Sequence, residues 1–290
     1  MKQSHSVSKF LYKVIIYIAL FALAISIVVP VGWVFMASVK RNAEFIGADI
    51  NPWALPSNPR WENFTQAFVD ARMGEFFVNS VIVTALALCL LLLIALPASY
   101  VLARFNFKCK AVLNMACMAG LFINVNYIVV PIFLMLTDAN KTLGVDFFLN
   151  NRFLLALIYA STSLPFTIYL LSGYFKTLPK GFEEAAYIDG CGYFKTMTKI
   201  MIPMAKPSII TVVLFNFLSF WNEYIIAYTL MDGHDTVAMG LKNLMAVEKT
   251  ATNYGIMYAG LVIVMLPTLI LYIAVQKRLT EGMTLGGLKG

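Results

Sequence analysis

Long stretches of apolar residues, almost without charge, recur along the chain. A helix needs about 20 predominantly apolar residues to cross the hydrocarbon layer of a bilayer, and each stretch is about that long. None alternates between polar and apolar positions as the strands of a membrane β-barrel do. We therefore predict six membrane-spanning helices, at about 14–36, 77–103, 111–136, 153–175, 207–230 and 256–276.

The composition supports one membrane domain over residues 1–290. The chain is 60% hydrophobic and 13% charged, whereas soluble domains carry about 25% charged residues. Lys2, Lys9 and Lys13 precede the first apolar run, as in a signal peptide. That run exceeds the roughly 7–15 apolar residues of a signal peptide, so we interpret it as a retained first span.

The distribution of lysine and arginine predicts the orientation of the spans. With the amino terminus in the cytoplasm, fourteen of the 22 Lys and Arg residues fall on the cytoplasmic side and eight fall outside. Positive charge accumulates on cytoplasmic loops, so both termini are predicted to be cytoplasmic. The same rule accounts for the net charge of +7 without nucleic-acid binding.

Cysteine and histidine give no sign of a disulfide framework or a metal site. Under the predicted topology, none of Cys89, Cys109, Cys117 and Cys191 lies in an extracytoplasmic loop, where disulfides form. The cysteines lack metal-ligand spacing, and the two histidines are far apart in sequence. We predict no metal site and no catalytic residue.

Prolines and long outer loops complicate this simple bundle. Four prolines lie inside predicted spans, where each removes a backbone hydrogen bond and bends the helix: Pro97, Pro131, Pro165 and Pro267. They fit either ordinary packing or a bundle that changes shape around a pathway. The predicted outer loops 37–76 and 231–255 are too long for simple turns, and long ordered loops are often functional.

The predicted cytoplasmic loop, residues 177–206, has a helical pattern of its own. Glu183 and Glu184 lie near the start of a short helix, where the helix dipole stabilises negative charge. Ala185 and Ala186 are strong helix formers and leave a small, flat face. This face and the exposed acidic pair favour insertion into a protein cleft over an interfacial helix that lies on lipid.

Glycines then predict a sharp bend in the loop. Gly190 and Gly192 end the first helix and allow a turn. A second short helix, predicted from Tyr193 to Met201, runs to Pro203. The loop is therefore predicted to form an L-shaped pair of short helices.

The spacing of residues 184–203 resembles the EAA loop of ABC importer permeases. The matching positions are Glu184-Ala185-Ala186, Gly190, Ile200 and Ile202-Pro203, with Ile202 where the family has leucine. In that family the loop is a coupling helix that docks into a cleft of a separate ATPase subunit. The resemblance implies an all-α membrane protein with the type I permease fold of ABC importers.

The same resemblance implies a set of ATPase-coupling residues. They are Glu183, Glu184, Ala185, Ala186, Asp189, Gly190, Gly192, Ile200 and Pro203. Glu184 would make polar contacts with the ATPase, Ala185 would allow close approach, and Gly190 would permit the turn.

Two further segments resemble carbohydrate importers of the maltose-type group. Phe220-Trp221-Asn222-Glu223 is similar to their Trp-Asn-Glu signature, and residues 279–290 look like the C-terminus of the smaller permease of that group. A glycine-rich tail of this kind is usually disordered, but the resemblance implies that it reaches into the ATPase dimer interface. The loop 231–255 resembles an outer loop that reaches toward the sugar site of the binding protein.

Polar residues within the spans are candidates for a substrate pathway. They are Asn216, Trp221, Asn222, Glu223, Tyr224, Asn124 and Asn126. Amides, hydroxyls and the Trp221 indole suit hydrogen bonding to and stacking on a sugar, but they suit helix–helix contacts equally. Glu223 is the one carboxylate placed within a span; it is either functional or a paired or hydrated carboxylate at the interface.

Together these resemblances imply the permease subunit of an ATP-driven sugar importer in a bacterial cell membrane. The expected partners are a second permease subunit, two ABC ATPase subunits that bind ATP and Mg, an extracytoplasmic binding protein, the sugar and membrane lipid. This chain itself has no Gly-x-x-x-x-Gly-Lys-Ser/Thr phosphate loop, so no cofactor is expected in it.

Three alternatives remain open at this point. One is an ABC permease for a non-sugar solute, such as a polyol or a glycerol-phosphate-type compound. A stand-alone secondary carrier would need intramembrane charges for ion coupling and often shows internal repeats. A membrane-embedded enzyme would need clustered catalytic groups, whereas the spans supply one Glu and no His.

Overall fold

The chain is mostly helical within the part that a computed structural model describes, residues 2–46, 51–231, 233, 236–247 and 253–287. No strand occurs within these residues. Their α-helices are α1 (Lys2–Ser38), α2 (Glu62–Thr65), α3 (Met73–Arg104), α4 (Lys110–Gly120), α5 (Val125–Leu143), α6 (Arg152–Thr177), α7 (Gly181–Ile188), α8 (Tyr193–Thr196), α9 (Ile202–Met204), α10 (Lys206–Trp221), α11 (Ile225–Leu230), α12 (Val237–Val247) and α13 (Tyr254–Gly287).

The number of candidate spans agrees with the predicted bundle. Within the described residues, four helical segments are long and apolar enough to cross a membrane: Lys9–Ser38, Met73–Arg104, Arg152–Thr177 and Tyr254–Gln276. Two bent pairs of helices raise the number to six if each pair is one span. Helices α3, α5, α6 and α13 continue through the four prolines that were predicted to bend them.

The predicted third span, 111–136, is broken rather than continuous. Helix α4 ends at Gly120, α5 begins at Val125, and their axes differ by 103°. The side chain of Asn124 accepts a hydrogen bond from the backbone N–H of Asn126 at 2.9 Å and so caps α5. Asparagine is among the preferred N-cap residues because it satisfies an orphan helix N–H, which explains why a new helix starts here.

The predicted fifth span, 207–230, is also broken. Helix α10 ends at Trp221, the segment 222–224 is not helical, and α11 begins at Ile225. A second bend of 74° separates the helical stretch Tyr193–Met204 from α10. The apolar composition that predicted one span therefore covers two helices.

By its contacts the chain divides into two compact units. One comprises Met1–Met73 with Asn243–Met265, and the other comprises Gly74–Lys242 with Leu266–Gly290. Residues 1, 47–50, 232, 234–235, 248–252 and 288–290 lie outside the described residues. Parts of both predicted outer loops and the end of the predicted tail are among them, whereas residues 279–287 belong to α13.

The first unit is organised around a buried lysine in the predicted first outer loop. Lys40 is 1% exposed, and its ammonium group donates a hydrogen bond to the carbonyl of Pro52 at 2.9 Å. The Asn63 amide donates to the carbonyls of Ser38 and Lys40, both at 2.9 Å. These bonds fold the loop back onto the end of α1, since a buried polar group is costly unless it is paired.

The second unit contains the packed core that positions the candidate site. Its buried residues come mainly from α3, α6 and α10, with Tyr100, Tyr159, Phe175 and Trp221 among the largest side chains. Small residues on α3, such as Ala87 and Ala95, are fully buried, because small side chains let membrane helices approach closely.

Candidate functional site

The loop between α6 and α10 turns sharply after α7, and Gly190 makes the turn. Its backbone has a φ of +74°, which favours glycine because a side chain would clash there. The N–H of Gly190 donates to the carbonyl of Tyr187 at 3.1 Å, and the N–H of Cys191 donates to the carbonyl of Ala186 at 2.9 Å. These two bonds form a Schellman motif, so the predicted bend is present.

Gly192 does not share this role. Its φ of −73° and ψ of 166° are ordinary extended values that any residue adopts. A Cβ atom added at Gly192 would meet nothing within 4 Å. The expectation that both glycines are needed for the turn is therefore wrong for Gly192, whose backbone does not require glycine.

One face of α7 is open. Glu184, Ala185 and Ile188 are exposed, and Ile188 is 87% exposed. Residues four apart on a helix lie on the same side, so the carboxylate of Glu184 and the side chain of Ile188 share a surface beside the small Ala185. We call Glu184, Ala185 and Ile188 the docking face. A large apolar side chain beside a carboxylate and a small residue suits a cleft in a protein partner.

The opposite face of α7 is closed. Ala186 is 2% exposed, so it is not part of the flat surface predicted from the Ala-Ala pair. The neighbouring Glu183 also points inward: its carboxylate accepts a hydrogen bond from the Tyr100 hydroxyl at 2.8 Å and lies 3.5 Å from Arg104 Nε. The two adjacent glutamates therefore have different surroundings, which the sequence did not reveal.

Of the remaining predicted coupling residues, two are exposed and one packs against the core. Asp189 caps the C-terminus of α7 and is exposed, and Pro203 is exposed at the start of α9. Ile200 is half-buried and packs against the core. Asp189 and Pro203 are therefore placed to reach a partner, whereas Ile200 holds the loop to the bundle.

A second polar cluster lies at the break between α10 and α11. The carboxylate of Glu223 accepts hydrogen bonds from the backbone N–H groups of Ile226 at 2.8 Å and Ala227 at 3.0 Å. It also accepts one from the Tyr159 hydroxyl at 2.8 Å. The first N–H groups of a helix have no partner within it, so Glu223 satisfies two of these on α11 and joins α11 to α6.

Trp221 is buried beside this break. It is 2% exposed, with its ring 5.4 Å from that of Phe77 and 5.5 Å from that of Phe217. Neither face of its indole is open. This corrects the expectation that Trp221 stacks on a sugar.

A cavity of about 460 Å³ lies among α5, α6, α10 and α11. Its lining residues are Val125, Asn126, Tyr159, Thr162, Ser163, Phe166, Phe215, Asn216, Ser219, Phe220, Glu223 and Ile226. Of the predicted pathway residues, the structure brings Asn126, Asn216 and Glu223 together here. Asn216 is buried, and its amide donates to the Thr167 hydroxyl at 3.1 Å, so it also joins α10 to α6.

The other predicted pathway residues are elsewhere. Asn124 caps α5, and the Asn222 amide donates to the carbonyl of Leu218 on its own helix at 2.8 Å. Tyr224 stacks on Tyr228 with the ring centroids 5.4 Å apart.

The Lys242 side chain packs against the rings of Tyr224 and Tyr228. The Lys242 ammonium lies 3.9 Å from the Tyr228 centroid, a cation–π contact. A hydrogen bond with Tyr224 raises the pKa of Lys242. The contact therefore joins α12 to α11.

Several residues of the site carried no signal in the sequence. Tyr100, Arg104 and Tyr159 contact the key glutamates from helices that are distant in sequence, and Ser163 and Ser219 look like ordinary small polar residues in apolar runs. Among the described residues, no three His, Cys, Asp or Glu side chains are grouped to hold a metal ion.

Comparison with known proteins gives the chain its family. Residues 95–284 match the family described as "Binding-protein-dependent transport system inner membrane component". The diacetylchitobiose uptake system permease protein NgcG of Streptomyces coelicolor is 34% identical over 265 residues, 91% of this chain and 84% of that protein. The maltodextrin transport system permease protein MalD of Streptococcus pneumoniae is 26% identical over 296 residues, which span both chains completely.

Solved structures show the same fold. A chain of a bacterial ABC transporter involved in the import of the polysaccharide alginate superposes with a TM-score of 0.78 at 22% identity, covering 93% of this chain and 97% of that one. This likeness confirms the predicted type I permease fold. With the family match and the identity to a permease over nearly its whole length, the chain belongs to the inner membrane components of binding-protein-dependent transport systems.

Proposed function

We propose that this chain is the membrane-spanning permease subunit of an ATP-driven importer of sugars or oligosaccharides. A binding protein delivers the sugar from outside, and a second, related permease completes the pathway. Two separate ATPase subunits bind ATP and Mg. The family match and the relatives named for diacetylchitobiose and maltodextrin transport support this proposal.

The docking face is the observation that carries the proposal. Ile188 is 87% exposed on a short helix outside the core, beside the exposed Glu184. We infer that a protein partner covers Ile188, because its apolar side chain, the Glu184 carboxylate and the small Ala185 lie together on one open helix face. ATP binding closes the two ATPase subunits, and the movement of their cleft displaces α7. Hydrolysis then resets the transporter.

The cavity among α5, α6, α10 and α11 is the proposed place of sugar contact. Its volume of about 460 Å³ lies within the usual range of about 300–1,000 Å³ for small-molecule sites. Asn126, Ser163 and Ser219 supply hydrogen-bonding groups, and the rings of Phe166 and Phe215 meet edge to face with centroids 6.1 Å apart. A sugar needs both kinds of surface, because its hydroxyls are polar and its ring faces are apolar.

The same cavity favours a neutral solute over an anionic one. None of the described residues that line it is lysine or arginine. A glycerol-phosphate-type substrate would need such a cation, since a buried anion is costly unless it is paired.

Glu223 also weakens the case for a secondary carrier. Its carboxylate already accepts three hydrogen bonds from protein donors. It is therefore occupied by structural contacts rather than available to bind a coupling ion.

The proposal is tested by reconstitution. The chain is purified with its second permease and ATPase subunits, placed in liposomes with the binding protein, and assayed for ATP-dependent uptake. The probes are N,N′-diacetylchitobiose, maltotriose and glycerol 3-phosphate. Uptake of either sugar that requires ATP and the binding protein supports the proposal. Uptake by the chain alone, or of glycerol 3-phosphate only, contradicts it.

A further inference from the structure

The carboxylate of Glu183 is held between two side chains from the end of α3. The Tyr100 hydroxyl donates to Glu183 Oε1 at 2.8 Å, and Arg104 Nε lies 3.5 Å from Glu183 Oε2. The side chains of Arg104 and Glu183 are 7% and 12% exposed. We call Tyr100, Arg104 and Glu183 the clamp. Because the clamp is largely shielded from solvent, salt only weakly screens the attraction between Arg104 and Glu183.

The clamp joins three elements at one point. Arg104 Nη2 donates to the carbonyl of Leu178 at 2.6 Å, and Leu178 caps the C-terminus of α6. The Tyr100 ring meets that of Phe175 on α6 edge to face, with centroids 5.6 Å apart. One arginine and one tyrosine therefore hold α7 to the ends of both α3 and α6.

Aromatic rings continue this link into the second arm of the loop. The Phe105 ring lies 5.6 Å from that of Tyr100 and 5.7 Å from that of Tyr193 on α8. Tyr193 in turn meets Tyr187 on α7 at 5.6 Å. A displacement of α7 is therefore transmitted through packed side chains and not through a flexible loop.

The ion pair of the clamp is not fully closed. Arg104 Nε is buried and has no hydrogen-bond acceptor in good geometry among the described residues, although Glu183 Oε2 is only 3.5 Å away. A buried donor without an acceptor is unfavourable. A small shift of Glu183 toward α3 would convert this contact into a charge-assisted hydrogen bond.

We propose that Glu183 is a positioning residue that passes the displacement of α7 to α3, whereas its neighbour Glu184 contacts the ATPase. The proposal rests on the coupling role proposed above for α7. The Tyr100 hydrogen bond keeps Glu183 attached, and the contact between Glu183 and Arg104 shortens and lengthens as α7 moves. Glu183 contributes to coupling while it never touches the ATPase.

The test uses variants of the clamp with a matched control. Tyr100→Phe removes one hydrogen bond and leaves the ion pair in place. Glu183→Gln removes the charge. The double variant Glu183→Arg with Arg104→Glu restores a pair of opposite charge. Glu184→Gln is the control on the exposed neighbour.

Each variant is studied in the full complex by three measurements. The first is the amount of ATPase subunit that co-purifies, and the second is the number of sugar molecules imported per ATP, with the sugar that the wild type imports. The third needs no sugar: electron paramagnetic resonance between spin labels at Val101 and at Phe182, which lies on α7 outside the docking face, without nucleotide and after trapping with ATP and vanadate. Both label positions are exposed, and the native cysteines are replaced beforehand.

The clamp predicts a distinct pattern. Tyr100→Phe and Glu183→Gln keep the bound ATPase, lower the sugar imported per ATP by about fivefold or more, and broaden the distribution of Val101–Phe182 distances in the trapped state. The charge exchange recovers part of the ratio. Glu184→Gln lowers the amount of bound ATPase, and the complexes that still hold ATPase keep the wild-type distance in the trapped state.

Two results would overturn the proposal. One is that the Glu183 variants lose bound ATPase while the complexes that still hold it keep the wild-type Val101–Phe182 distance, which would make Glu183 a direct contact. The other is that the transport ratio and the distance are both unchanged. If neither sugar is imported by the wild type, the substrate proposal fails, while bound ATPase and the label distance still test the clamp.

Discussion

Two breaks in helical structure, at residues 189–192 and at residues 222–224, each follow a helix and lie near a glutamate. At the first break the turn is made by the backbone alone, through Gly190 at a φ of +74° and two carbonyl-bonded N–H groups. At the second break a side chain stabilises the start of α11, since the Glu223 carboxylate accepts three hydrogen bonds. Beside the first break, the Glu184 side chain is exposed. At the second break, the Glu223 carboxylate is bonded within the protein.

The difference follows from what surrounds each break. Where lipid or packed protein excludes water, a backbone N–H group at a helix end must find its acceptor inside the protein. Glu223 supplies that partner for the start of α11. The loop after α7 is open, so its polar side chains are free to face a partner protein. A glutamate beside a helix break is therefore structural in one case and available for docking in the other.

Glu223→Ala gives the largest expected effect. The change leaves the Tyr159 hydroxyl and two N–H groups of α11 without an acceptor, and each buried unsatisfied donor costs about 1–3 kcal/mol. We expect the free energy of unfolding in detergent to fall by at least about 3 kcal/mol. A loss below about 1 kcal/mol, the size of a single typical hydrogen bond, would show that the carboxylate does not hold the break.

Glu184→Lys is expected to act on docking and not on folding. The side chain is exposed, so its replacement should leave membrane insertion and unfolding unchanged. The reversed charge should weaken binding of the ATPase subunits by about tenfold or more, which corresponds to about 1.4 kcal/mol, and should uncouple ATP hydrolysis from uptake. Binding measured by titration of the purified subunits checks this; an unchanged affinity and intact uptake would remove Glu184 from the docking face.

Gly190→Val is expected to have a smaller, local effect. A β-branched side chain at a left-handed φ costs about 1–2 kcal/mol, but an added Cβ meets no atom within 4 Å, so the bundle should still assemble. The turn should open and uptake should be uncoupled from ATP hydrolysis. Gly192→Ala is the matched control, since its φ of −73° accepts alanine. Equal loss of uptake in both variants would contradict the assigned roles.

Asn222→Ala should have the smallest effect. Within the part of the chain that the structure describes, its exposed amide bonds only to the Leu218 carbonyl of its own helix. We expect the free energy of unfolding to change by less than about 0.5 kcal/mol, as for most surface substitutions. A large loss of uptake without loss of stability would instead make Asn222 a pathway residue and reopen the assignment of the second break.

The sequence predicted the first break better than the second for a physical reason. A glycine-dependent turn is a local motif, so residue spacing alone located Gly190. The second break is hidden within an apolar run, because Ile225, Ile226 and Ala227 suit a continuous span as well as a new helix. The bend after Gly120 had a local signal in the helix-capping Asn124. The sequence prediction instead placed a bend at Pro131, through which α5 continues.

Contacts between distant segments were beyond prediction from the sequence. The burial of Trp221 depends on Phe77, from a helix far away in the chain. The inward position of Glu183 depends on Tyr100 and Arg104, and nothing near Glu183 distinguishes it from Glu184. Local patterns therefore located the helices and the loop, whereas tertiary packing decided which of their polar residues are free.

The most direct test of the central claim compares two residues of similar exposure. Ile188 on the docking face is 87% exposed, and Leu55 in the predicted first outer loop is 81% exposed. Each is replaced by cysteine in a chain whose native cysteines are removed, and the complex is treated with a thiol cross-linker. We predict that Ile188→Cys is joined to the ATPase subunit and that Leu55→Cys is not. Cross-linking from Leu55→Cys, or none from Ile188→Cys, would contradict the coupling role of α7.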